Sequence, residues 1–352
     1  MSKKINSSRS KNNGDSANDD DDHDRDICTI ETPFKTLKIL EDLSSSDNDN
    51  NKDDDAAAAA ADYDDDSGLE DSIGRFVWPT AVPLLRYLLS SDNTRESNNC
   101  ITFSSRPMII VELGAGCGVL GMGLAAAAAA AAAKAKAADK NNSFAHVILT
   151  DHDSDWLERN VSLNMDALSV DDTTTTKTTT TEVVRLDWRN QQDIERVQTM
   201  IGKYARSLRN TTAATFTICE EEYSNNNNNN ASSREEQVLL LLIGSDILYN
   251  HSSHEMLAST LYQLVQQPQQ QQQQTQHHHD RSYYYNCRIV LGFPDRDNRD
   301  EEHFLPILQT FFDNEENIEV VVKPSRPIDE MYQKRNKKGK AMDLRVIDFC
   351  VS

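Results

Sequence analysis

Three observations predict an α/β fold with a largely parallel sheet covered by helices on both faces. Short, mainly apolar runs, that of Val238 to Ile243 wholly so, alternate with helix-length segments from Met108 to Phe312. Those runs lack the in-out alternation of a half-solvated strand, as expected where both faces are buried. Two further apolar runs at the end, Ile318 to Val322 and Leu344 to Phe349, have no helical pattern between them and predict an antiparallel hairpin at one edge.

Taken in order, residues 1 to about 70 are rich in Ser, Asn, Asp and Lys, a composition expected to stay mostly unfolded. Thr32 to Leu43 is the exception, with Phe34, Leu37, Ile39, Leu40 and Leu43 spaced to form a short strand or helix that docks on the domain. The folded domain is expected over 71–352, opening at Gly74 and a proline-led helix through Val82, Leu84, Leu85, Leu88 and Leu89. Met108 to Leu113 predicts a strand, Val119 to Ala138 a helix, Ala145 to Thr150 a strand and Ser154 to Leu168 a helix. Glu182 to Leu186, Val238 to Ile243 and Cys287 to Gly292 predict the next strands. Their helices are expected at Gln192 to Ser207, Ser253 to Gln266 and Glu302 to Phe312.

Low-complexity stretches fall at 125–140, 171–181, 221–236 and 266–282, and read as loop insertions tolerated at the surface. His277 to His279 lies in the last of them. Beside glutamines it reads as part of the repeat, and no metal site is expected.

A net charge of -21 does not suit a grip on phosphates, so nucleic acid is an unexpected partner. The six cysteines are scattered, with no CxxC pair, which suits a reducing compartment; the cytoplasm is expected, with the nucleus open. No secretory pattern opens the chain. Leu113 to Ala133 is uncharged and long enough to span a bilayer, but it begins in glycines directly after Glu112 and ends in poly-Ala, so a loop entering a helix is expected and no membrane partner. A monomer is expected. The basic run Lys334 to Lys340 reads as a solvated hairpin loop, with steering of an acidic partner or nuclear import as alternatives.

Four motifs carry chemistry. Glu112-Leu113-Gly114-Ala115-Gly116-Cys117-Gly118 ends the first strand of the alternation with glycines that let a ligand lie across the turn, beside unpaired helix N–H groups. A dinucleotide-type GxGxxG is present as Gly116, Gly118 and Gly121, but two residues too far from the strand. The acid at Glu112 fits a cofactor with an amino-acid tail better than a pyrophosphate. Asp151 lies at the tip of the second strand, where a carboxylate accepts from ribose hydroxyls; Asp153 competes for that role, and a helix cap is the plain reading of either. Asp151 follows Gly114 by 37 residues (114 to 151), against the usual ~20, and the Ala run accounts for the excess. Leu186-Asp187-Trp188 follows the third strand, offering an acceptor for an adenine amine and an indole to lie on the ring. Gly244-Ser245-Asp246-Ile247-Leu248-Tyr249 closes the fourth, beside the switch point of a doubly wound sheet.

In this order the motifs resemble the seven-strand protein-lysine methyltransferases of the methyltransferase-21-like group, whose relatives act on elongation factors, chaperones and calmodulin. The resemblance runs from Gly74 to about Phe349 and rests on Gly74 to Pro79, Glu112 to Gly118, Asp151, Leu186 to Trp188 and the D-x-x-Y of Asp246 to Tyr249. It departs from that pattern in the expanded first helix and the Asn and Gln runs. It implies a Rossmann-like class I methyltransferase fold with a seven-stranded, mostly parallel sheet. It further implies S-adenosyl-L-methionine as cofactor, held by Trp78, Glu112, Gly114, Ala115, Gly116, Gly118, Asp151, Asp187, Trp188 and Ser245, with Asp246 and Tyr249 as catalytic residues. The substrate it implies is a lysine on another protein, a translation factor or a chaperone.

Transfer from a sulfonium to a lysine needs a neutral, close and collinear nitrogen, so positioning and desolvation dominate. Asp246 is expected to orient the amine and Tyr249 to offer it a ring face. Trp78 either walls that pocket or packs the opening helix. Three rivals share parts of the pattern: a small-molecule methyltransferase, a cofactor-binding scaffold without catalysis, and a nicotinamide-dependent oxidoreductase, which the glycine register disfavours.

Overall fold

The computed structural model describes residues 25–32, 34–42, 74–89, 101, 103, 107–137, 145–168, 179–223, 238–266, 286–295, 300–312, 321–327 and 343–351. An antiparallel hairpin, β1 (Arg25–Glu31) and β2 (Thr36–Asp42), precedes α1 (Ala81–Leu89). From β3 (Met108–Leu113) the chain passes through α2 (Val119–Ala137) to β4 (Ala145–Asp151), then through α3 (Ser154–Leu163) and α4 (Met165–Leu168) to β5 (Thr179–Arg185). Next, α5 (Gln191–Tyr223) leads to β6 (Leu239–Ser245), α6 (His254–Val265) to β7 (Asn286–Pro294), and α7 (Asp300–Phe312) to β8 (Val321–Pro327). β9 (Asp343–Val351) ends it.

The seven strands from β3 onward form one sheet in the order β5-β4-β3-β6-β7-β9-β8. All pairings are parallel except those of β9, which lies antiparallel between β7 and β8. This is a doubly wound, Rossmann-like topology with an antiparallel edge: the sheet grows outward in both directions from β3 and β6, so the switch point lies between them. Every residue of β3 is buried. Met108 and Ile110 pack with the hairpin, α1, α2 and α3, and Ile109, Val111 and Leu113 with α5, α6 and α7. A strand covered on both faces favours apolar residues at every position, which is why the sequence runs apolar from Met108 to Val111, with Glu112 the one polar residue of the strand.

Three expectations are corrected. The packed domain does not begin at residue 71, because Cys28, Ile30, Leu37 and Ile39 of the hairpin are buried in the same core as α1 and α2. The helix expected over Val119 to Ala138 is present as α2, so residues 125–137 belong to it rather than to the surface loop insertion also expected over 125–140, and Ala125 to Ala129 and Ala132 are buried. Ala forms helix more readily than any other residue, and its small side chain lets α2 press close to its neighbours. The edges of two other insertions are also ordered: Thr179 to Thr181 lie in β5, and 221–223 end α5. The rest of those insertions, the His277 to His279 triplet and the Lys334 to Lys340 run lie outside the described residues. No helix among the described residues is long and apolar enough to cross a membrane.

The hairpin docks through a polar seam. Asn160 on α3 and Asn164, the residue that caps its C-terminus four positions on, are both buried. Asn164 Oδ1 accepts from Lys38 N–H at 2.8 Å and its Nδ2 donates to Lys38 O at 2.6 Å. Asn160 does the same for Leu40, at 2.7 and 3.4 Å. Two side-chain amides thus stand in for a neighbouring strand along the open edge of β2, satisfying backbone groups that burial would otherwise leave unpaired.

Candidate active site

A cleft opens at the carboxyl ends of β3, β4, β5 and β6, across the switch point. On its β3 side the backbone turns through Gly114 and Gly116 at φ 57° and 51°. A Cβ on Gly114 would stand 2.9 Å from Ile247 Cγ2, and one on Gly116 would stand 2.8 Å from Gly74 O. Both positions therefore need glycine for close approach as well as for conformation. Asp151 Oδ2 accepts from Gly116 N–H at 2.7 Å, tying the tip of β4 to the loop.

Of Asp151 and Asp153, Asp151 is the one that lines the cleft. Asp153 caps α3 by accepting from Trp156 N–H and pairs with Arg75 at 3.3 Å. Asp151, which lines the cleft, also accepts from Asp153 N–H at 3.1 Å through Oδ1.

Asp187 and Trp188 form the β5 side of the cleft. Burial raises the Asp187 carboxyl, but hydrogen bonds from the Arg189 side chain and backbone outweigh it and hold the group below its ordinary value. Its two oxygens receive Arg189 Nε at 3.1 Å and Nη2 at 3.4 Å.

From β6 come Ser245, Asp246 and Tyr249. The Ser245 hydroxyl lies 3.0 Å from that of Thr80, joining β6 to the segment before α1. Asp246 is 2% exposed and sits at φ 61°, the one non-glycine residue at positive φ among the described residues. Its N–H donates to Gly292 O at 2.7 Å. Tyr249 is 46% exposed and its ring stacks on Trp78, with centroids 6.2 Å apart and planes 13° from parallel. Trp78 therefore walls the cleft; the alternative, packing on the opening helix alone, does not describe it.

Three of the residues assigned to the cofactor do not reach the cleft. Glu112 is 2% exposed, and its Oε2 accepts from Gly121 N–H at 2.9 Å, capping α2 from beneath the loop. Burial pushes its carboxyl up to about 8, the Gly121 N–H pulling it down and Asp151 adding to the rise. Ala115 holds the loop through its N–H to Thr150 O at 2.9 Å. Gly118 sits under Leu157, with no room for a Cβ between them.

Several lining residues escaped the reading of the sequence: His152, Arg189, Asn250, Ser252, Ser253 and Met256. His152, Arg189 and Asn250 adjoin quoted motifs and could have been found by extending them. Met256 is reached only because α6 begins directly behind the loop.

Residues 64–201 match the family model described as lysine methyltransferase. Over that stretch, well under half of its length, the chain is similar to that family. The match takes in Trp78, the glycine loop, Asp151 and Asp187, and ends before Asp246. Curated proteins give no match. Among solved structures, a putative S-adenosylmethionine-dependent methyltransferase from Streptococcus mutans is similar at 6% identity and TM-score 0.33, over 77% of this chain and 49% of that one. The chain thus spans about half the length of that protein. An arsenic(III) S-adenosylmethionine methyltransferase from Chlamydomonas reinhardtii is similar at 12% identity and TM-score 0.32, over 76% of this chain and 73% of that one. Likeness at that level carries no argument, and the fold rests on the strand order itself.

Proposed function

We propose that this chain is a lysine methyltransferase, transferring a methyl group from S-adenosyl-L-methionine to the side-chain nitrogen of a lysine in a protein. One observation carries the reading: the glycine turn and Asp151 meet Asp246, Tyr249 and Trp78 across a single cleft at the switch point.

The donor set fits a nucleoside with a charged tail. A carboxylate offers about four lone-pair sites. Asp151 uses three of them, on Gly116 N–H, Asp153 N–H and the His152 ring at 3.1 Å, and keeps one on Oδ2 for a ribose hydroxyl. The half-exposed His152 is the partner that a second hydroxyl displaces. Trp188, packed at Gly114, offers a flat face for a base. When bound, the sulfonium supplies an electrophilic methyl group.

Everything else falls to the residues of the chain. Tyr249 and Trp78 form an aromatic wall open to solvent, suited to a long side chain arriving from outside with its charge against a ring face. Asp246, almost sealed from water, accepts a hydrogen bond from the amine and fixes the direction of its lone pair. The exposure of Tyr249 favours a macromolecular acceptor over an enclosed metabolite.

Calorimetry with S-adenosylhomocysteine on the full chain and on Asp151→Ala tests the cofactor half. The expected result is binding that the substitution weakens at least tenfold; no binding by the unsubstituted chain overturns the reading. Labelled cofactor added to a cell extract tests the acceptor half. Label in acid-stable protein bands, mapped to lysine by mass spectrometry, is expected, and label confined to small molecules refutes it.

A further inference from the structure

Two buried hydroxyls at the edge of the cleft have one hydrogen to spare between them. Thr80 is fully buried and Ser245 is 8% exposed, and their side-chain oxygens lie 3.0 Å apart. Thr80 stands at the N-cap of α1, where its carbonyl accepts from Leu84 N–H at 2.9 Å. An N-cap hydroxyl ordinarily accepts from the second or third N–H of its helix. The third residue here is Pro83, which has none, and the Thr80 hydroxyl reaches across to β6 instead. Ser245, the last residue of β6, lines the cleft; Thr80 does not.

The number of hydrogens fixes the direction of the contact. Each hydroxyl has one hydrogen to give and two lone pairs to receive with. One hydrogen bridges the pair, and the other must find an acceptor elsewhere. Neither side chain makes a second hydrogen bond among the described residues. Were Ser245 the donor, the spare hydrogen would belong to Thr80, sealed from water with no acceptor among those residues, the unfavourable arrangement for a buried polar group. With Thr80 the donor, the spare hydrogen belongs to Ser245, which borders the cleft, where water or a ligand can accept it.

We propose that Thr80 is a positioning residue for the cofactor: by donating to Ser245 it turns the Ser245 O–H outward, to meet the carboxylate at the end of the amino-acid tail. The inference rests on the proposed function for the identity of the ligand. In the sheet order β5-β4-β3-β6 the base belongs against Trp188 after β5 and the ribose on Asp151 at the tip of β4. The tail therefore runs over the glycine turn that follows β3, toward β6. Leu113 pairs with Gly244, which puts Ser245 level with Gly114 at that end. Glu112, turned beneath the loop, leaves the tail to other groups. The basic side chains that line the cleft, His152 and Arg189, lie on its β4 and β5 side, and the Asp246 carboxylate offers acceptors only. The Ser245 hydroxyl is thus the side-chain donor that β6 places beside the glycine turn.

Calorimetry on the full chain compares S-adenosylmethionine with its decarboxylated form, which differs only in lacking the carboxylate. Ser245→Ala is expected to weaken S-adenosylmethionine about tenfold, as for a lost hydrogen bond to a charged group, and the decarboxylated form by less than about twofold. Thr80→Val, which removes the donor behind Ser245 at nearly constant volume, is expected to show the same selective loss at about threefold and to add nothing in a chain that already carries Ser245→Ala. Thr80→Ser is expected to restore the affinity. Thr80→Ala, which also lacks the hydroxyl, takes the place of the valine variant if that chain does not fold. A loss equal for the two ligands, no loss on removing the Thr80 hydroxyl, or a Thr80 effect that persists in Ser245→Ala overturns the proposal and leaves the cofactor assignment standing. Failure of the unsubstituted chain to bind either ligand overturns that assignment, and the inference with it.

Discussion

A carboxylate at φ 61° on a non-glycine residue costs free energy that the surrounding structure must hold in place, and such positions cluster where chemistry is done. Asp246 is held there by its N–H to Gly292 O and by near-complete burial. Asn tolerates the left-handed region as well as Asp does, so Asp246→Asn isolates the charge from the backbone. Its expected effect is a fall in methyl transfer of about 10²-fold, with S-adenosylhomocysteine affinity within about twofold of the unsubstituted chain; equal losses in both would make the role structural. Glu112 shows where residue-level reading stops. Its place two before Gly114 marks it for the cofactor's ammonium, yet the side chain turns under the loop to Gly121. Spacing gives the distance along the chain but not the side of the turn on which a carboxyl lands. Because burial raises its carboxyl to about 8, native Glu112 holds a proton that the unfolded chain releases near 4.5. Stability from this group is thus full below about 4.5 and lost as pH rises through about 8. Glu112→Gln keeps an acceptor for Gly121 N–H and removes that loss. Its melting temperature is expected to match the unsubstituted chain at pH 4.5 and exceed it at pH 8, by on the order of 1–3 kcal/mol in unfolding free energy; parity at pH 8 refutes the buried, protonated state.

Among the elements, the hairpin of β1 and β2 contributes to the site although it lies ahead of every motif. Glu41, 2% exposed, accepts from Val77 N–H at 3.1 Å and so fixes the residue beside Trp78. The Cys117 thiol reaches both Leu40 O and Gly74 O at 3.6 Å, bridging the glycine loop to the hairpin and the opening segment. The parallel strands were legible because a buried strand is written locally, as an apolar run. The hairpin was half legible: Leu37, Ile39 and Leu40 announced a docked segment, but β1 carries only Ile27, Cys28 and Ile30 among polar neighbours. The partner of its sister strand is a pair of asparagines more than a hundred residues away. Asn164→Ala strands Lys38 N–H and O and removes the bond from Asn164 Nδ2 to Asn160 O. Each unsatisfied buried group costs about 1–3 kcal/mol, so urea unfolding is expected to show a loss of about 2–4 kcal/mol. Exchange protection at Lys38 and Leu40 is expected to vanish first. A loss under about 0.5 kcal/mol would mean that solvent already reaches the seam.

At the scale of the whole molecule, an ion pair on the α1 face of the sheet joins distant elements in a way that no local pattern reveals. Arg288 of β7 donates from Nε and Nη2 to the two oxygens of Asp348 on β9, at 2.9 and 2.8 Å. These positions are diagonal neighbours across an antiparallel pairing, within reach of long side chains. Tyr87 of α1 donates to Asp348 Oδ2 at 2.7 Å, so one carboxylate fastens the first helix to the last strand across 261 residues of sequence. Burial is nearly complete for Asp348, at 6% exposed, and the Arg288 side chain is 11% exposed. In such a setting desolvation can cancel the attraction between the partners, so the pair is not expected to add net stability over an apolar replacement. Breaking one side is another matter, because it leaves a charge buried without its counterion. Asp348→Ala is expected to cost about 3–5 kcal/mol in chemical unfolding, loosening α1 and with it the segment that carries Trp78. Arg288→Met together with Asp348→Leu is expected to recover most of that loss, since both charges then leave the interior. If the double substitution is as destabilised as Asp348→Ala, the bidentate geometry itself determines how β9 seats between β7 and β8.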